Sequence, residues 1–144
     1  MELELVNGWN GNQWMFDNLN RFRRAIDLAA SDHATGDHMV PRADVVEDKD
    51  AYHFYVEMSG LKDGSIDVHV EDDRLMIASE RKRPEWPQET GVHVAERNYG
   101  TIRRAFRLPL NASHDGIRAA YTDGVLEVTV EKRPDSKPVK IQVN

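Results

Sequence analysis

Ile117-Arg118-Ala119-Ala120-Tyr121-Thr122-Asp123-Gly124-Val125-Leu126-Glu127-Val128-Thr129-Val130 decides the fold. The Asp-Gly pair at its centre separates two strand-like runs, and such a pair accepts the left-handed backbone that a two-residue hairpin turn demands. Beyond the turn, Leu126, Val128 and Val130 alternate with polar residues, so one face of that strand is apolar. The same period of two extends back along the chain. Tyr52, Phe54, Val56 and Met58 alternate with His53, Tyr55 and Glu57, and Ile66, Val68 and Val70 alternate with Asp67 and His69. Leu75 and Ile77 follow the turn Glu71-Asp72-Asp73, and Ile102, Phe106 and Leu108 precede the quoted hairpin. About seven or eight such strands, with no helical period among them, predict an all-β fold. The expected architecture is an immunoglobulin-like antiparallel β-sandwich, because a single sheet of that size would leave an apolar face in water.

This strand-rich domain is expected over residues 41–133, between two segments of different character. Residues 1–40 read as an arm carrying Trp9, Trp14, Phe16 and Phe22 among Asn, Gly and Asp. Within it Met15, Leu19, Phe22, Ile26 and Ala29 recur in steps of four and three, which lays them along one stripe of a helix. A lone amphipathic helix is marginal in water, so the stripe needs the core, a second subunit or another partner. From Ala30 to His38 the chain is polar, small and without period, as a linker is. Residues 134–144 read as an extension. Pro134 and Pro138 oppose regular pairing, while Ile141 and Val143 share one face of an extended segment too short to bury them itself.

Composition narrows the function. The 144 residues carry 19 Lys and Arg against 25 Asp and Glu, a net charge of −6. This length suits one domain with arms, and burial of roughly two-thirds of the unfolded surface makes a core that needs no staples. Cys is absent, which removes thiol catalysis, Cys-ligated zinc and a disulfide framework, and fits a reducing compartment. The longest basic run, Arg81-Lys82-Arg83, is a small footprint for a nucleic-acid backbone, so no nucleic-acid partner is expected. No stretch approaches the ~20 apolar residues of a membrane span, and Met1-Glu2-Leu3-Glu4 lacks the basic start of a signal peptide. A cytoplasmic location without stable membrane insertion is the expectation. The arginines between Arg21 and Arg24 make only a thin basic face for a membrane surface.

No His-Glu-x-x-His, phosphate-cradling glycine loop or Gly-x-Ser-x-Gly elbow occurs, and Asp72-Asp73 sits where a hairpin wants it. Neither catalysis nor a cofactor or metal is expected. One charge breaks the strand pattern: Arg104 shares the parity of Ile102, Phe106 and Leu108 and should lean toward the buried face. An arginine there is costly unless it is satisfied, which predicts a structural ion pair inside the fold or across a subunit boundary. Arg107, of opposite parity, suits an exposed or intersubunit salt bridge.

Glu96-Arg97-Asn98-Tyr99-Gly100-Thr101-Ile102-Arg103-Arg104-Ala105-Phe106-Arg107-Leu108-Pro109 resembles the signature of small heat shock proteins with an α-crystallin domain, of bacterial and archaeal type. Three other stretches agree, in family order. Met58-Ser59-Gly60-Leu61 with Ile66 to Val70 resembles the early strands, Ala119 to Leu126 resembles the Ala-x-x-x-x-Gly-Val-Leu motif, and Ile141-Gln142-Val143 resembles the Ile-x-Ile/Val tail motif. Ser59 stands where the family commonly has proline and Ile102 where it commonly has phenylalanine; both replacements suit a strand.

The resemblance implies an ATP-independent holdase, no enzyme, that binds partly unfolded clients and leaves refolding to ATP-driven chaperones. It also implies a dimer formed by exchange of a strand on a long loop, here Val92, His93, Val94 and Ala95 between Pro84 and Glu96, and a higher homo-oligomer. It places the tail's Ile141 and Val143 in a groove of another chain lined by Ile66, Val68, Val70, Ile117 and Ala119. Clients are expected on the arm, chiefly Trp9, Trp14, Met15, Phe16, Leu19, Phe22 and Ile26. The same stripe would also fit packing inside an oligomer. The competing class is a sandwich module that docks one defined partner, which has little use for both a sticky arm and a knobbed tail.

Overall fold

A computed structural model describes residues 38–62, 64–136 and 141–144. The arm up to Asp37, with the stripe expected in it, lies outside the described residues. Seven strands follow in chain order: β1 (Ala43–Glu47), β2 (Ala51–Glu57), β3 (Asp67–Glu71), β4 (Arg74–Arg81), β5 (Gly100–Arg107), β6 (Ala112–Thr122) and β7 (Val125–Lys132). A short 3-10 turn at Pro134–Ser136 follows them. Four strands form one antiparallel sheet in the order β1-β2-β7-β6, and three form the other in the order β3-β4-β5.

The alternating residues build the core between the sheets. Phe54, Val56 and Met58, then Leu75 and Ile77, then Ile102, Phe106 and Leu108, and finally Leu126, Val128 and Val130 are all buried in one cluster. The rings of Phe54 and Phe106 meet across the sheets with centroids 5.0 Å apart, tilted by 55°. Such a geometry sets the positive edge of one ring toward the face of the other. The two tight hairpins take the expected left-handed backbone: Asp72 and Asp73 at φ 48° and 59°, Asp123 and Gly124 at 54° and 79°. Gly124 also lies close to Ser59, where a Cβ would sit 3.4 Å from its Cα.

Chain path fixes how the sheets lie. Met39 forms a parallel bridge with Ile102 on the open side of β5, donating its amide to the Thr101 carbonyl and accepting from the Arg103 amide. Four residues later the chain starts β1, at the edge of the other sheet. The β5 and β1 edges therefore share one side of the sandwich, and β3 and β6 share the other. His114 on β6 confirms the second pairing, its Nε2 lying 3.3 Å from Oδ1 of Asp73 in the β3–β4 turn.

Candidate functional site: two open sides of the sandwich

On the β3 and β6 side, Ile66, Val68 and Val70 turn a half-buried apolar row toward the core, and Ile117 does the same from β6. Ala119 is exposed. Thus the expected groove residues lie on two strands at the edges of opposite sheets. β6 is not a plain strand: its register to β7 breaks between Ala112 and Ile117, so Ser113 to Gly116 bulge out opposite Glu131. Gly116 lets the two strands approach, since a Cβ there would lie 2.9 Å from the Cβ of Glu131. Bulges of this kind interrupt pairing at a sheet edge and bend the strand.

On the β1 and β5 side, Arg104 is half-buried and donates from Nη1 to the Pro41 carbonyl, while its guanidinium lies 4.8 Å above the Phe106 ring. Partial burial lowers its pKa from the ordinary arginine value. No carboxylate pairs with it among the described residues. Asp44 and Glu57 nevertheless line the same cavity of about 510 Å³, together with Arg42 and Tyr55. Arg107 is exposed and stands opposite Arg74 in the sheet register.

The long segment between β4 and β5 contains no strand, so His93, expected in one, lies in a loop. Val92 and Val94 are 57% and 73% exposed. No mate for this run exists within the described chain, and Pro84, Pro87 and Gly91 oppose pairing around it. The base of the loop is nonetheless tied: Arg81 donates to the carbonyls of Ser59 and Asn98, and Arg83 and Arg97 both stack on the Tyr99 ring. At the far end of the chain, Ile141 and Val143 are 82% and 93% exposed.

The most buried ion pair among the described residues is one that reading the sequence missed. Lys132 Nζ lies 2.7 Å from Oε1 of Glu47, with side chains only 5% and 6% exposed, and also donates to the Asp48 carbonyl. Lys132 shares the inward parity of Leu126, Val128 and Val130, the same signal that singles out Arg104. Among the described residues no group of three His, Cys, Asp or Glu side chains is placed to hold a metal ion, and no helix is long and apolar enough to cross a membrane.

A model of the Hsp20/alpha crystallin family matches residues 44–144. The chain is 48% identical over 99 residues to the 17.9 kDa class II heat shock protein of Glycine max, a match covering 68% of this chain and 62% of that protein. It thus spans less than two thirds of that relative. It is 28% identical over 142 residues to small heat shock protein C4 of Rickettsia felis, covering 98% of this chain and 87% of that one. Among solved structures, a small heat-shock protein from Xylella fastidiosa, described as having a distinct high order structure, superposes with a TM-score of 0.63 at 34% identity. The superposition covers 74% of this chain and 98% of that one.

Proposed function

Because the chain belongs to the Hsp20/alpha crystallin family, we propose that it is an ATP-independent holdase, which binds partly unfolded proteins under heat or other stress and passes them to ATP-driven refolding chaperones. The observation that carries this reading is apolar side chains left bare, above all Ile141 and Val143, on a chain whose two sheets have open edges. Surface of this kind joins copies of one chain and captures unfolded ones by the same hydrophobic effect.

In this reading the arm over residues 1–40 meets clients through Trp9, Trp14, Met15, Phe16, Leu19, Phe22 and Ile26. Val92 to Ala95 of one copy adds to an open edge of another and makes a dimer. Arg104 takes a carboxylate across that boundary; its desolvation beside a cavity, without a carboxylate of its own, supports this. Arg107 serves as an exposed bridge. Ile141 and Val143 of the extension over residues 134–144 dock between Ile66, Val68 and Val70 on one strand and Ile117 and Ala119 on the other. Each docked knob contributes roughly 1.5–3 kcal/mol before ordering costs, so one tail binds weakly and many bind collectively. The assembly works in the cytoplasm.

The test is light scattering from a heat-denatured model client, with and without ATP. Equal suppression in both, for several unrelated clients, is the expected result. Undiminished scattering, or suppression of a single client alone, contradicts the reading.

A further inference from the structure

The β3 edge carries a charge pattern on the face opposite its apolar row. Ile66, Val68 and Val70 are half-buried, whereas Asp67, His69 and Glu71 are exposed on the other face. His69 Nδ1 lies 2.7 Å from Oδ2 of Asp67, and its Nε2 lies 4.0 Å from Oε2 of Glu71. Asp72 and Asp73 continue the acidic edge through the turn, before Arg74. On the facing edge, β6 presents Arg118, whose Nη1 lies 3.1 Å from Glu131.

The tail reads Lys137-Pro138-Val139-Lys140-Ile141-Gln142-Val143. Side chains alternate along a strand, so when Ile141 and Val143 turn toward an apolar row, Lys140 and Gln142 turn to the opposite face. Against β3 that face holds Asp67 and Glu71, the latter opposite Arg74 on β4; against β6 it holds Arg118, itself paired with Glu131. Opposite charges across neighbouring strands attract and like charges repel, which favours β3. Continuity favours the same edge: β3 runs in unbroken register with β4, whereas β6 is bulged over Ser113 to Gly116. Ile141 and Val143 are bare on their own chain, and the tail of a second copy is the occupant that the charge pattern fits.

We propose that Asp67 and Glu71 make the β3 edge selective for an aliphatic-x-aliphatic segment preceded by lysine, with Lys140 of a second copy as the residue they read. The proposal rests on tail docking and adds to it a charge code.

The test uses the full chain carrying Ile141→Ala and Val143→Ala, which removes its own knobs, and a labelled synthetic peptide of residues 134–144 followed by fluorescence anisotropy. Replacing Lys140 by Glu in the peptide is expected to weaken binding roughly three- to tenfold at low salt. The gap closes near 1 M salt, where the screening length falls to about 3 Å. Adding Asp67→Asn and Glu71→Gln to the full chain, at exposed positions, abolishes the difference between the two peptides. Equal binding of both peptides at low salt, or a difference that survives Asp67→Asn and Glu71→Gln, overturns the charge code and leaves docking intact. Failure of the native peptide to bind, or equal binding of a peptide carrying Ile141→Ala and Val143→Ala, overturns docking and the code with it.

Discussion

Lys132 and Glu47 show how one residue choice commits a strand end. Both side chains are almost wholly out of water, and the ammonium also lies 5.1 Å from the Tyr52 ring centre. Removing one partner strands the other, so Lys132→Met is expected to cost about 3–5 kcal/mol in denaturant unfolding. Adding Glu47→Leu should recover most of that loss, since an apolar pair of similar volume is often no worse than the ion pair. A single variant as stable as the parent would contradict the pair's role. Asp48 is the acid-sensitive group beside it. Its Oδ1 accepts from the amides of Asp50 and Ala51, at 2.7 and 2.8 Å, and its Oδ2 lies 2.8 Å from Nε2 of His53. The Asp50 amide first, then His53, holds its carboxyl down at about 2, below the ordinary 3.8. A carboxyl lowered by folding stabilises the native state above the ordinary value, and that contribution is lost as pH falls from 3.8 toward 2. Asp48→Asn should therefore flatten the acid limb of thermal unfolding between about pH 5 and about pH 2. An acid limb as steep as the parent's would count against this assignment.

At the scale of the strands, β6 carries the least regular piece. Gly116→Ala places a methyl against Glu131, and overpacking of this kind is expected to cost about 1–3 kcal/mol, read as a lowered melting temperature. Unchanged melting would show that Glu131 moves aside freely. The strands themselves were legible, because alternation at Tyr52 to Met58 and at Leu126 to Val130 directly names which side chains enter the core. The Asp123-Gly124 turn was legible for the same local reason. The bulge was not, since it depends on the register of β7, a partner the β6 residues do not name. Nor was the meeting of the β3 and β6 edges, which follows from chain path between sheets. Val92 to Ala95 has strand-like residues yet no strand, because strand formation needs a mate and none lies within the described chain. Lys132 carried the parity signal that exposed Arg104. A lysine at a strand end, however, reads as solvated unless its partner across β1 is known.

At the scale of the whole molecule, the sandwich covers its core and leaves its edges, its long loop and its tail uncovered. The small heat-shock protein of Xylella fastidiosa shares the sandwich fold. Two regions outside the core then divide the proposed work. Removing the arm up to Ala30 is expected to abolish suppression of client aggregation while leaving the sandwich folded; full retained suppression would move client capture onto the sandwich. In the proposed function the tail governs assembly. The most direct measurement is native mass by light scattering of the purified chain and of its Ile141→Ala, Val143→Ala variant. A parent mass well above twice the 16.5 kDa chain is expected, falling toward dimers in the variant. A stable 16.5 kDa monomer in both would contradict it.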